Sequence, residues 1–149
     1  MTDAPGARPL PRHLPRQAPI DGYGKGGFAF AGMSHRGSLL CLPSGLWAWP
    51  VTTASDIDET TLEPVFAEAG TIGLFLLGYG NEVWSMPGPL RKRFREAGIT
   101  LELTRTGTAV STYNILIEEG RRVAAGFMGQ VGDDAFGHFL AQTLRENNV

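Results

Sequence analysis

Residues 20–53 show the short, alternating apolar runs that are typical of β-strands. The runs FAFAG and SLLCLP flank the segment MSHRG, which is predicted to be a turn closed by Gly37. In the next run, GLWAWPV, Trp47 and Trp49 are two residues apart and therefore point to one face of a strand. We expect these rings to pack together inside the protein, with an aromatic ridge for a protein partner as the alternative.

After residue 54 the pattern changes to alternating helices and strands. Helical spacing of apolar residues runs from Leu62 to Ala69, after the cap-forming residues Ser55, Asp56 and Asp58. The apolar run TIGLFLLGYG is predicted to be a buried strand covered on both faces. Helix, strand, helix and strand are then predicted for MPGPLRKRFREAGI, TLELTR, TGTAVSTYNILIEEG and RRVAAGFM. This order of elements predicts an α/β sandwich with a central mixed sheet.

The first 19 residues differ from the rest because they contain half of the ten prolines and few core-forming residues. Prolines at this density exclude a continuous helix. The segment also lacks the apolar stretch that a secretory signal needs. We therefore expect residues 1–19 to be a disordered Pro- and Arg-rich arm, with a short basic docking segment for a partner as the alternative.

The composition fits one globular domain, with 149 residues, of which 42% are hydrophobic and 19% are charged. A net charge of −2 gives no general attraction to nucleic acid, and we expect no nucleic-acid partner. No apolar run approaches the roughly 18–20 residues of a membrane span, so we expect no transmembrane segment. The one cysteine, Cys41, lies on an apolar strand and is expected in the core. A reducing, cytoplasmic setting fits these features.

The stretch LLGYGNEVWSMPGPLRK is the most distinctive local candidate for ligand binding. Gly78 and Gly80 follow a predicted buried strand, and basic residues including Arg91 and Arg95 follow at a predicted helix. Glycines and helix N-termini can together hold an anion such as a phosphate or carboxylate. However, Val83 stands where a dinucleotide-binding loop has its third glycine, and a tight turn is the favoured interpretation.

Polar groups also cluster at the start of the third predicted helix, for which Thr106 or Thr108 is the expected cap. Ser111 and Asn114 are three residues apart and share a face, with Tyr113 beside them. A nucleophile needs a base within reach, and the histidines are placed in the arm, a turn and the tail (His13, His35 and His138). We therefore expect structural hydrogen bonds here, and we expect no catalytic residue, metal site or cofactor.

Four stretches, read together, resemble a known family: IDGYGKGGFAFAG, GSLLCLPSGLWAWPV, LFLLGYG and FREAGITLELTRTGTAVSTYNILIEEGRRVAA. They span about residues 20–125 and resemble a small domain shared by several proteins. These are the mitochondrial respiratory complex I assembly factor three, an adipogenesis-associated animal homologue and many short bacterial and archaeal proteins. The resemblance implies a three-layer α/β fold with a central mixed sheet and a hammerhead-like β extension. It also implies no established catalytic activity.

The last residues, 127–149, resemble a different family, the ribokinase-like sugar kinases, over a single βα unit. Here Asp133 or Asp134 is predicted to cap a helix whose apolar face contains Phe136, Phe139, Leu140 and Leu144. The Gly-rich anion hole and catalytic aspartate of those kinases are absent from the sequence, so we expect no kinase activity. We divide the chain into an arm (1–19), an α/β domain (20–128) and an atypical C-terminal tail (129–149).

Taken with the resemblance, these features predict a non-enzymatic binding or assembly protein of the bacterial cytoplasm. Its partners would be subunits of NADH:ubiquinone oxidoreductase (respiratory complex I) or a second assembly factor, with peripheral association with the membrane through these partners. The candidate binding surfaces are the Gly78–Gly80 turn, the helix face with Arg91 and Arg95, and the group of Ser111, Tyr113 and Asn114. The alternative is a binding protein or enzyme for an anionic small molecule that uses the Gly-x-Gly turn and the Ser/Tyr/Asn group.

Overall fold

The computed structural model describes residues 11–80 and 84–129, which form nine strands, three α-helices and two short 3-10 turns. In chain order the main elements are β1 (Arg12–Leu14), β2 (Gly22–Gly24), β3 (Gly27–Phe30), β4 (Met33–Arg36), β5 (Ser38–Leu42), β6 (Gly45–Trp49), α1 (Glu59–Ala67), β7 (Leu74–Gly78), α2 (Gly88–Glu96), β8 (Thr100–Thr104), α3 (Thr106–Glu118) and β9 (Val123–Phe127). The helices and strands predicted between residues 54 and 128 are therefore all present, in the predicted order.

Two sheets organise the molecule. The larger has six strands in the order β1-β6-β5-β9-β7-β8, and the smaller has three in the order β2-β3-β4. Strands β7, β8 and β9 run parallel, whereas β1, β5 and β6 join the sheet through antiparallel pairs. Helices α1 and α2 contribute to the core on one face of the large sheet, and α3 and the small sheet cover the other. The predicted three-layer α/β fold with a mixed sheet and a β extension is confirmed.

Strand β7 shows why its sequence is almost wholly apolar. Phe75 and Leu77 face the core that contains α1 and α2, and Leu76 faces the core that contains α3. All three side chains are fully buried. A strand covered on both faces has no solvent side on which polar residues could alternate.

Helix α1 begins where the sequence predicts it, because acidic side chains hold its first turn. The Asp58 carboxylate accepts a hydrogen bond from the Thr61 N–H at 2.9 Å, which is N-cap geometry. Asp56 accepts from the N–H groups of Thr52 and Thr53, and these bonds lower the pKa of its carboxyl. Asp58 therefore caps α1 as the sequence predicts, and Asp56 holds the short turn that precedes it.

The sequence predicts a turn at the segment MSHRG, and this prediction is wrong. Residues Met33–Arg36 form strand β4. The turn is shorter and lies one step earlier, at Ala31 and Gly32, where φ is +49° and +76°. Two successive residues with positive φ make the tight hairpin turn that matches strand twist. Lys25 and Gly26, with φ of +52° and +75°, make the equivalent turn between β2 and β3.

The expectation of a disordered arm is wrong for residues 11–19, which include strand β1. Strand β1 pairs antiparallel with β6, with Leu14 opposite Leu46, and the Ala48 N–H donates to the Pro11 carbonyl at 2.8 Å. Prolines are tolerated there because β1 is an edge strand and its outer side needs no donor. Residues 1–10, the tail from residue 130 and its predicted helix lie outside the described residues.

Candidate functional site

Gly78, the last residue of β7, allows α3 to pack directly on the sheet. A Cβ atom at this position would lie 3.0 Å from the Thr106 Cα and 3.1 Å from the Ala109 Cβ. The close approach therefore requires the missing side chain. The first glycine of the Gly-x-Gly stretch serves helix packing in this fold.

Gly80 completes the turn with a φ of +93°, and its N–H donates to the Thr106 hydroxyl at 3.0 Å. Thr106 is buried, and its hydroxyl is oriented toward the turn rather than toward the start of its own helix. The expected side-chain cap of α3 is therefore wrong: the residue at the cap position is Arg105, which makes no side-chain cap bond. The N–H group that would have bound an anion at Gly80 is already paired.

Tyr113 and Asn114 hold the segment that leads into the domain. The Tyr113 hydroxyl donates to the Ala18 carbonyl at 3.1 Å. The Asn114 amide accepts from the Ile20 N–H at 2.8 Å and donates to the Ile20 carbonyl at 2.9 Å, as a neighbouring strand would. Gln17 adds a bond to the Val123 carbonyl at 2.7 Å. Helix α3 thus holds the chain at Ala18 and Ile20, and β9 holds it at Gln17.

The Tyr113 phenol is fully buried and packs edge-on against Phe127, with ring centroids 5.5 Å apart. Burial raises the pKa of Tyr113 far above its usual value, and the neighbouring Cys41 adds to the rise. Burial likewise raises the pKa of the Cys41 thiol, despite its hydrogen bond with Tyr113. Neither group ionises near neutral pH, so both act as neutral core residues, as expected for Cys41.

Ser111 does not join Tyr113 and Asn114 in a pocket. Its side chain lies on the exposed side of α3, together with Ile115, which is 55% exposed. Tyr113 faces the core instead, and Asn114 is half-buried against Ile20. The three polar residues therefore do not converge on one point in space.

Two histidines that the sequence separates lie together. The His13 Nε2 and His35 Nδ1 atoms are 3.0 Å apart, and the His35 Nε2 lies 3.0 Å from the Ser38 carbonyl. A consistent chain of donors runs from His13 to His35 and on to that carbonyl. Partial burial lowers the pKa of His35, and the proximity of His13 lowers it further. The sequence does not predict that these histidines lie together, because it places His35 in a turn and His13 in a disordered arm. In the structure they lie on β4 and β1.

Helix α2 divides its basic residues between two sides. The Arg93 guanidinium pairs with the Glu59 carboxylate of α1 and lies 4.3 Å from the centroid of the Phe66 ring. Arg91 and Arg95 are exposed, and the Arg91 Nε donates to the Met86 carbonyl at 3.1 Å. The helix lies over the core that contains α1, on the opposite face of the large sheet from α3. The candidate residues thus form separate surfaces.

The two tryptophans of β6 face the same core, as predicted. Trp49 is buried and its indole N–H donates to the Thr61 carbonyl at 2.8 Å. Trp47 is partly buried, bonds to the Ser44 hydroxyl at 3.1 Å and has the Arg12 guanidinium 5.2 Å from its ring centroid. Both rings thus pack against one core, and neither forms a free-standing ridge.

The chain leaves the domain through a tight passage after β9. The Gly129 N–H donates to the Ser38 hydroxyl at 3.0 Å, and a Cβ at Gly129 would lie 2.5 Å from the Gly37 carbonyl oxygen. Residues 126–129 are therefore packed as part of the domain. The kinase resemblance predicted for residues 127–149 falls almost wholly on residues outside those that the structure describes.

Within residues 11–80 and 84–129 no group of three or more His, Cys, Asp or Glu side chains could hold a metal ion. In the same part of the chain, no helix has the length and apolar character to cross a bilayer. The surfaces that could bind a partner are the exposed basic flank of α2, the exposed side of α3 and the two edge strands of the large sheet, β1 and β8.

A model of the family described as a protein of unknown function (DUF498/DUF598) matches residues 20–128. An uncharacterised protein of Rhodobacter capsulatus is 36% identical over 114 residues, which are 76% of this chain and 86% of that protein. The rat NADH dehydrogenase [ubiquinone] 1 alpha subcomplex assembly factor 3 is 28% identical over 126 residues, which are 85% of this chain and 68% of that protein.

Solved structures share the fold. The Rpa2829 protein of Rhodopseudomonas palustris is 46% identical with a TM-score of 0.72, over 85% of this chain and 93% of that one. A Bartonella henselae chain described as an outer membrane protein is 42% identical with a TM-score of 0.70, over 79% and 99%. The chain belongs to the DUF498/DUF598 family and is homologous to assembly factor 3 of the NADH dehydrogenase [ubiquinone] 1 alpha subcomplex.

Proposed function

We propose that this chain is a non-enzymatic protein-binding factor that assists assembly of respiratory NADH:ubiquinone oxidoreductase in the bacterial cytoplasm. Homology to the animal assembly factors supports this role for the family as a whole. The partners would be subunits of the oxidoreductase or a second assembly factor.

The TYN motif, residues 112–114, supports this proposal because its side chains bond to the main chain of the protein itself. The Tyr113 hydroxyl and both ends of the Asn114 amide bond to the main chain at Ala18 and Ile20. These groups are therefore used to hold the fold together. The motif supports a scaffold whose function depends on its surface.

The alternative of an anionic small-molecule site gains no support from the geometry. The Gly80 N–H is bonded to Thr106, and Gly78 is packed against α3. Ser111 points to solvent and Tyr113 to the core. The surfaces that remain for a protein partner are the exposed side of α3 with Ser111 and Ile115, and the basic flank of α2.

Affinity purification of the tagged full-length chain from its source organism, followed by quantitative mass spectrometry, tests the proposal. We expect subunits of NADH:ubiquinone oxidoreductase to be enriched over a tag-only control. The parallel measurement is a thermal shift of the purified chain with a panel of anionic metabolites. A saturable shift that Gly80→Val abolishes, with no respiratory subunit enriched, would replace the assembly role by ligand binding.

A further inference from the structure

Strand β8 forms one edge of the large sheet, and in the described part of the chain it pairs only with β7. The Thr100 N–H donates to the Gly73 carbonyl at 2.9 Å, and the Thr104 carbonyl accepts from the Tyr79 N–H at 3.0 Å. Main-chain groups alternate in direction along a strand, so those of Leu101 and Leu103 face away from β7. An edge with such outward groups is a template for another strand.

Side chains on β8 alternate as well. Leu101 and Leu103 are half-buried on the face covered by α2, and Glu102 is exposed on the other face. A residue of an added strand lies opposite its partner and points to the same face. Residues placed opposite Leu101 and Leu103 would therefore point toward α2, and the residue between them would lie beside Glu102.

The flank of α2 above this edge is basic. Arg93 points toward α1, where it meets Glu59 and Phe66. Two residues along an α-helix correspond to a rotation of about 200°, which puts Arg91 and Arg95 on the flank away from α1. Helix α2 contacts β8, while α1 lies toward β6, where Thr61 meets Trp49. The flank with Arg91 and Arg95 is therefore the one on the β8 side of the helix.

The spacing of the two arginines along α2 matches the spacing of alternate residues along a strand. Arg91 and Arg95 are four residues apart on a helix, or about 6 Å. Alternate residues of a strand are separated by roughly 6.6 Å on one face. Two carboxylates at positions i and i+2 of an added strand could therefore meet the two guanidinium groups at once. Among the described residues Arg95 makes no ion pair, and Arg91 uses only its Nε, on the Met86 carbonyl.

We infer that the outer edge of β8 and the Arg91–Arg95 flank form a docking site for an extended protein segment with acidic residues at alternating positions. The preferred segment has carboxylates opposite Leu101 and Leu103 and a lysine opposite Glu102. This inference rests on the proposed function, since it gives the chemistry of the protein partner. A second copy of this chain fits poorly, because antiparallel pairing of β8 with itself about Glu102 would oppose two glutamates and bring no carboxylate to either arginine.

The probe is an acetylated and amidated heptapeptide, Val-Thr-Glu-Lys-Glu-Thr-Val, which reads the same in both directions and so suits parallel or antiparallel addition. Its binding to the full-length chain is followed by NMR amide hydrogen exchange. We expect slower exchange at Leu101 and Leu103 on addition of peptide, and no further change at Thr100, Glu102 and Thr104, whose main-chain groups face β7. The control peptide replaces both glutamates by glutamine.

The matched variants are Arg91→Gln/Arg95→Gln and, as a control on the solvent side of α2, Lys92→Gln. The double variant is expected to weaken peptide binding by about fivefold, as for two partly exposed ion pairs, and the control to leave it unchanged. Unchanged amide spectra away from α2 establish that the variants fold. Equal affinity of both variants for the peptide would overturn the charged part of the site.

Three further results would overturn the docking site itself. The first is no protection of Leu101 and Leu103 at saturating peptide. The second is protection in the chain alone that grows with concentration, which would assign the edge to a second copy. The third is protection in the chain alone that does not depend on concentration, which would assign it to the chain's own residues.

The failure of this inference is distinguishable from that of the assembly role. If the Arg91→Gln/Arg95→Gln variant captures the same oxidoreductase subunits in the same amounts as the native chain, the assembly role stands and the docking site fails. If the peptide binds as expected while no oxidoreductase subunit is captured, the docking site stands and the assembly role fails.

Discussion

Single residues in this protein are constrained chiefly by close packing. Gly126 lies in β9 beneath the Trp49 indole, and a Cβ there would lie 2.7 Å and 2.9 Å from two of its ring carbons and 3.0 Å from the Phe75 ring. Gly78 has the same role under α3. At Gly126 a side chain approaches the backbone, and at Gly78, which the sequence offers as part of a ligand-binding turn, a helix does so.

The substitution Gly126→Ala is expected to lower the free energy of unfolding by about 1–3 kcal/mol, because the added methyl group overpacks the Trp49 site. Urea denaturation followed by tryptophan fluorescence measures the change. Gly70→Ala is the matched control, since Gly70 is exposed and has no heavy atom within 4 Å of the added Cβ. Equal stability of the two variants would refute the packing role of Gly126.

The substitution Asn114→Ala is expected to cost about 2 kcal/mol of unfolding free energy, because it leaves both main-chain groups of Ile20 without their partners. Tyr113→Phe removes one bond and is expected to cost about 1 kcal/mol. Faster amide exchange at Ile20 would localise the Asn114 effect. Ser111→Ala, on the exposed side of α3, is the control and should stay within about 0.5 kcal/mol of the native chain.

At the scale of elements, the hydrophobic pattern predicts β3, β5 to β9 and the helices α1 to α3, because each has a local signature of apolar spacing or caps. Strands β1 and β4 are different. They have three and four residues, and neither contains a buried residue. Such strands exist because a neighbouring strand supplies their hydrogen bonds, and that partner is not visible in local sequence.

The roles of the candidate site residues are hidden for the same reason. The TYN motif and the Gly-x-Gly turn are identifiable in the sequence, but the hydrogen-bond partners of the motif are 94 and 95 residues away. The partner of Gly80 is 26 residues away. Only the fold shows that these polar groups are used internally, and only the helix contacts show which side of α2 carries Arg91 and Arg95.

The attachment of β1 is expected to weaken in mild acid. The folded protein lowers the pKa of His35 below its usual 6.5, so the unfolded chain binds a proton more readily. The stability that His35 contributes is therefore present above about pH 6.5 and is lost as the pH falls through the folded pKa. Urea unfolding at pH 7.5 and 5.5 should show a lower midpoint in acid, and His35→Gln should reduce that difference. An identical pH dependence in both proteins would contradict the assignment.

At the scale of the whole molecule, the two faces of the large sheet have different roles. The side with α3 and the small sheet holds the entry and exit of the domain, through Tyr113, Asn114 and Gly129. The side with α2 carries a basic flank beside an edge strand. A domain with this division is suited to holding a partner segment on one side while its own chain is fixed at Ala18, Ile20 and Gly129 on the other.

Deletion of its gene in the source organism tests whether the chain assists assembly of NADH:ubiquinone oxidoreductase. Native gel electrophoresis of the membranes, stained for NADH dehydrogenase activity, measures the fully assembled enzyme. We predict a marked loss of the assembled enzyme on deletion and its recovery when the full-length chain is supplied again. A normal amount of fully assembled, active enzyme in the deletion strain would contradict the claim.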